Sequence, residues 1–118
     1  MANKSRYLFI ASMDVQPDKE DLFNEVYDTE HVPSLLEAPG VLSVARFKTR
    51  ELKMILGGEE RTIEFVDQPK YSAMYELESP EVLVSKEWGD VVDAGRWPGD
   101  VRPYTTNRRH VLMERLDS

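Results

Sequence analysis

Hydrophobic positions along the chain follow two periods in turn. In "RYLFIASMD" (6–14) both alternating rows, Tyr7/Phe9/Ala11/Met13 and Leu8/Ile10/Ser12, are largely apolar, which predicts a central strand covered on both faces. The period then lengthens. Within "QPDKEDLFNEVYDTEHVPSLLEA", Leu22, Phe23, Val26 and Tyr27 make an apolar stripe at helical spacing, opposite Asp21, Glu25 and Asp28. Pro17 suits the first turn of that helix, and Asp18, Glu20 and Asp21 suit its positive end. Pro33 disfavours helical geometry at Val32, so a break or kink is expected there, and Pro39–Gly40 end the segment.

Period two returns in "VLSVARFKTR" (41–50), a second strand with Val41, Ala45 and Phe47 on one face and Arg46 and Lys48 on the other. The stretch 51–70 reads as an excursion with a turn at Gly57–Gly58, and "YSAMYELE" (71–78) alternates as a third strand. "SPEVLVSKEWGDVVDAGRW" reads as a second helix with Ser79 as cap, Pro80 in its first turn, and Val84, Trp88, Val91, Val92 and Gly95 on one face. The tail "VRPYTTNRRHVLMERL" ends in a strand. The order β-α-β-β-α-β is the split βαβ, or ferredoxin-like, α+β arrangement in one domain, 1–118, with the excursion at about 51–70. Four antiparallel strands then carry two helices on one face. The other face keeps apolar groups, with Val44 assigned to it, so a partner is expected to cover it.

Composition narrows the partners. The 118 residues carry a net charge of −7, and the only adjacent basic pair is Arg108–Arg109, so nucleic acid and anionic membrane surfaces are disfavoured. No run approaches 18 apolar residues, and the start is too short in apolar residues for a secretory signal, which makes the cytoplasm the expected location. Cysteine is absent, which excludes disulfides and thiolate chemistry. Two histidines, His31 and His110, cannot make an ordinary tetrahedral metal site in one chain, and there is no HExxH, P-loop or dinucleotide glycine fingerprint. No metal and no cofactor is expected.

The residues with chemical potential are few, and each has a plain packing alternative. His31 follows Tyr27 by four positions and Phe23 by eight, so it extends a row facing the sheet. An imidazole there is either an acid/base group in a cavity or a core histidine hydrogen-bonded to the sheet. Tyr27 either packs or donates to a substrate oxygen. Arg46 sits mid-strand among apolar neighbours, where a charge needs a partner: a ligand oxygen or an ion pair at a dimer interface. Trp97 and Tyr104 bracket "PGDVRP", a loop at a pocket entrance or a simple anchor. His110 lies in a polar stretch and is expected to be exposed or interfacial. Glu30 either lies solvated with the acidic face or caps or flanks the same pocket mouth, and the excursion at 51–70 has the length of a lid.

The segment Tyr27, Asp28, His31, Pro33, followed by "PGV" at Pro39, Gly40 and Val41 and by Arg46, resembles the EthD-like group of the dimeric α+β barrel superfamily. The resemblance spans nearly the whole chain in element order, but rests on these few residues. It implies a homodimer with sheets packed face to face and a pocket in each subunit between sheet and helices. It also implies a small apolar or aromatic ligand. Superfamily members include polyketide cyclases, lactone isomerases, dehydratases, cofactor-free oxygenases and heme enzymes, so the fold alone does not choose. The expected function is a cofactor-independent enzyme acting on a small carbonyl or aromatic compound, with a non-catalytic ligand-binding or accessory protein as the alternative. Its candidate catalytic residues are His31, Tyr27 and Arg46; its candidate substrate-binding residues are Phe9, Phe23, Trp97 and Tyr104. Heme is disfavoured, because members that hold it generally use a histidine from the second helix, and 79–97 has none.

Overall fold

The structure is a computed structural model that describes residues 7–64 and 66–117; Arg6 of the first predicted strand and Phe65 of the excursion lie outside the described residues. Its strands are β1 (Tyr7–Val15), β2 (Val41–Lys48), β3 (Leu52–Leu56), β4 (Glu59–Ile63), β5 (Tyr71–Leu77) and β6 (Thr105–Glu114). Four of them form an antiparallel sheet in the order β2-β5-β1-β6, which is the ferredoxin-like order, and β3 and β4 pair separately. Both central strands, β1 and β5, hold an apolar row against the helices: Ala11, Met13, Ala73, Tyr75 and Leu77 are all buried.

The helical layer begins with α1 (Glu20–Val26), passes through a π-helical turn at Tyr27–His31, and continues into α2 (Val32–Leu35). Of the break or kink expected at Val32, a break does not occur: the helix continues through the wider turn. Pro33 has no N–H to give to residue 29, and its ring would strike that carbonyl in a regular helix. The wider turn takes up the misfit upstream, with the Val32 N–H bonded to the Tyr27 carbonyl five residues back. Phe23, Val26, Tyr27, His31 and Leu35 thereby stay on one buried face.

The second helix starts later than the sequence suggests. Pro80–Val84 is a 3-10 turn, and α3 (Lys86–Val92) is capped by Ser85, whose Oγ accepts from the Trp88 N–H at 3.1 Å. Ser79 makes no side-chain cap bond, and Val84, assigned to the buried stripe, is 84% exposed. The reason lies in Ser85: its extended backbone interrupts the helical period, so 80–84 and 86–92 present different faces. Trp97–Val101 forms a second π-helical turn before β6.

Register corrects the faces of β2. A bulge between Val41 and Ser43 sets Val44 opposite Tyr75 and Arg46 opposite Ala73, so both point to the helices and not outward. Ala45 and Phe47 face the other way, where the helix-free side also carries Leu8, Ile10, Met74, Val111 and Met113. Phe47 there is 51% exposed.

The excursion resolves into the β3–β4 hairpin. Gly57 and Gly58, at φ 63° and 85°, supply the left-handed pair that a tight two-residue turn demands. Leu52, Met54, Ile55 and Leu56 on it remain exposed. The hairpin stands off the sheet, and the radius of gyration of 16.1 Å accordingly exceeds the roughly 13.5 Å of a compact chain this long.

Candidate functional site

Between the sheet and the helical layer lies a cavity of about 220 Å³. Its walls are Phe9, Ala11 and Met13 from β1, Tyr75 from β5, Leu35 from α2, and Trp88 and Val92 from α3. Tyr27, His31 and Trp97 come from the two π-helical turns, and Arg102, Arg108 and His110 complete the lining. For scale, a dry cavity of about 150 Å³ holds benzene.

His31 is 3% exposed and stacks on Trp97, ring centroids 4.3 Å apart and planes within 16°. The Tyr27 ring meets both edge-on, at 5.0 Å from each. The helical turn brings Tyr27 and His31 onto one face, and an ionic clasp brings Trp97 to them. Glu30 accepts from the Arg96 N–H at 3.0 Å and from Arg96 Nε at 2.6 Å, while Arg96 also reaches Glu25 at 3.0 Å. Gly95 makes this possible: at φ 71°, a Cβ there would lie 2.7 Å from Glu30 Oε1. Glu30 thus flanks the cavity by holding its wall.

His31 Nδ1 is buried without a hydrogen-bond partner among the described residues. Burial pushes the imidazole down to about 4, Arg102 adds to the effect, and Asp93 opposes it. His31 is therefore neutral at physiological pH, with one nitrogen able to donate and the other to accept. A protein partner usually fixes the tautomer of such a group. Here stacking fixes the ring plane, and no described partner fixes the proton.

Tyr27 and Tyr75 join hydroxyls at 2.9 Å. Burial raises the ionisation of both, Tyr75 further because Tyr27 lies against it. The pair is neutral, and since one hydroxyl donates to the other, the second keeps a proton to give. Arg46 does not line the cavity. It lies over the Tyr27 ring at 4.5 Å and bonds Asp28 at 2.7 Å and Asn24 at 2.8 Å, all within the chain.

Of the candidate residues, His31, Tyr27, Phe9 and Trp97 come together on the cavity. Phe23 is fully buried beside Tyr27 and Trp97, one layer behind the wall, and Tyr104 stands apart with Lys19 over its ring. Neither is among the lining residues. Tyr75, Trp88, Arg102, Arg108 and His110 line it although the sequence reading gave them no role there. His110 pairs with Ala11 on the helix-facing side of the sheet and stacks on Phe9 at 5.9 Å. Strand alternation could have found Tyr75, and it sets Arg108 and His110, two residues apart, on one face; which face that is depends on the irregularity earlier in β6. None of the described residues of the β3–β4 hairpin lines the cavity. Among the described residues, no group of three His, Asp or Glu side chains could hold a metal ion. No helix among the described residues is long and apolar enough to cross a membrane.

No protein-family model and no curated protein matches the sequence. Solved structures do match in shape. The heme-degrader MhuD from Mycobacterium tuberculosis, with two hemes bound in its active site, is 14% identical over 95% of this chain and 97% of its own, with a TM-score of 0.57. An MhuD mutant with two manganese protoporphyrin IX bound per active site gives 14%, 95%, 96% and 0.58. An ethyl tert-butyl ether d (ethd) family protein from Bacillus halodurans gives 15% over 94% of this chain and 99% of its own, with a TM-score of 0.57. The chain has the fold of these proteins, as the resemblance in sequence pattern implied.

Proposed function

We propose that the protein is a cofactor-independent enzyme that takes one small ring compound, bearing a carbonyl or phenolic oxygen, into the cavity beside His31. Neutral His31 accepts a proton from the substrate, and the Tyr27–Tyr75 hydroxyl pair gives a hydrogen bond to the oxygen on which charge develops. The observation that carries this reading is the buried, stacked imidazole on the cavity wall with no hydrogen-bond partner for Nδ1. A purely structural histidine at 3% exposure would ordinarily have its nitrogens bonded. Aromatic walls and a single ring's volume fit an aromatic or alicyclic substrate.

Heme, which MhuD holds, does not fit these residues. A porphyrin has several times the atoms of the single substituted ring that 220 Å³ accommodates, and α3 offers Trp88 and Val92 to the cavity and no histidine. The apolar helix-free face of the sheet, with Ile10, Phe47 and Val111, supports the proposal of a homodimer joined there.

Enolisation supplies the test. Benzylic ketones such as phenylacetone and 2-indanone, incubated with the protein in deuterium oxide, should exchange the hydrogens next to the carbonyl faster than in buffer. His31→Gln keeps a donor and an acceptor but cannot cycle a proton, and should lose the exchange while still binding. A second reading, a non-catalytic binder, is favoured by one observation: an imidazole lowered to about 4 is a weak base. Equal exchange rates with and without protein, while the ketones still occupy the cavity, would select it.

A further inference from the structure

The chain carries a net charge of −7, yet no carboxylate lines the cavity, and two arginines do. They differ. Arg102 is compensated, bonding Asp93 at 2.5 Å and the Val92 carbonyl at 3.3 Å. Arg108 has no hydrogen bond or ion pair among the described residues, whereas its neighbour Arg109 bonds the Asp67 carbonyl at 2.7 Å. The β1–β6 register shifts between Ser12 and Asp14, and Asn107 at that irregularity takes φ 51°. Asn107 is held by Asp14 at 3.1 Å and by the Asp67 carbonyl at 2.9 Å. A bulge of this kind re-aims the next side chain, and here the next side chain, Arg108, joins His110 on the cavity.

We infer that Arg108 makes the cavity an anion site, and that its ligand is a small ring compound carrying a carboxylate or an equally acidic oxygen. The inference rests on the reading of the cavity as a ligand site and adds the ligand's charge. Three observations agree. Among the described residues, the one uncompensated charge on the lining is positive. His31, buried and unpartnered at Nδ1, is a neutral neighbour that does not compete for the anion. The apolar walls of Phe9, Trp88 and Trp97 suit the ring of such a ligand, while Arg108, itself exposed, is placed to pair with its charged end.

Benzoate and phenylacetate, with their neutral amides benzamide and phenylacetamide, are the probes. Trp88 and Trp97 offer fluorescence as the binding readout, and NMR of the histidine ring protons offers a second, since both histidines of the chain lie on the cavity. The acids should bind at least about tenfold more tightly than the amides at low salt, and the margin should shrink as salt rises. Arg108→Gln should bring acid and amide within about threefold without weakening the amide, and Arg109→Gln should leave the margin intact. Equal binding of acid and amide by the unaltered protein would overturn the anion site and leave the cavity reading standing. A margin that survives Arg108→Gln would overturn the role of Arg108. If none of the four probes moves the His31 signal, the cavity reading itself falls.

Discussion

His31 lies flat against Trp97, and this contact fixes the imidazole plane where no described hydrogen bond does. Stacking leaves Nδ1 without a partner among the described residues, at the cost of a buried polar atom. The loss is tolerable because the imidazole stays uncharged.

Stability should therefore depend on pH in a defined window. The folded His31 is lowered to about 4, against about 6.5 when unfolded, so between these values the unfolded chain binds the extra proton. Its contribution is fully present above about pH 6.5 and is lost as pH falls towards 4, by an amount on the order of 3 kcal/mol. Urea unfolding at pH 7.5 and 5 should show about 2 kcal/mol of this loss, the rest falling below pH 5, and His31→Gln should remove it. An identical slope in the variant would mean that other groups carry the acid sensitivity.

The Tyr27–Tyr75 pair should behave as a unit. Either Tyr27→Phe or Tyr75→Phe strands a buried hydroxyl, at about 1–3 kcal/mol. The double variant should cost clearly less than the sum of the two, a non-additivity that chemical denaturation of all four proteins measures.

The two faces of β2 should answer differently to charge. Phe47→Asp, on the helix-free side, should shift a dimer of about twice 13.6 kDa towards monomer in sedimentation while the fold survives. Val44→Asp faces Tyr75 and the core, and should cost roughly 2–4 kcal/mol of fold stability instead. A wild-type monomer at micromolar concentration would rule out the sheet-face dimer.

The β3–β4 hairpin should be separable from the core. Replacing 52–63 by a short Gly-Ser link joins positions that already lie side by side, as Leu52 pairs with Ile63. Thermal melting should shift by only a few degrees, since the hairpin's apolar residues are exposed and its strands are not part of the main sheet. A collapse of the melting temperature would mean that the hairpin packs on something essential.

Local sequence determined the elements because their periods are local. Two-residue alternation wrote β2 and β5, a run apolar in both rows wrote β1, and 3.6-residue spacing wrote the stripe Phe23, Val26, Tyr27, so the β-α-β-β-α-β order and its α+β layering were legible, as was the turn at Gly57–Gly58. The same stripe put His31 on the sheet-facing side. Tertiary structure decided what periodicity cannot carry. One extra residue in a bulge reverses every later side chain of a strand, which is why Val44 and Arg46 face the helices and Arg108 faces the cavity. The π turn at Tyr27–His31 absorbs Pro33 through a bond five residues long, a compromise visible only once the helix packs. Trp97 and Tyr75 reach His31 and Tyr27 across wide sequence gaps, and the Glu30–Arg96 clasp that seats Trp97 spans 66 residues. Such contacts are chosen by the packing of whole elements, and no short window of sequence contains both partners.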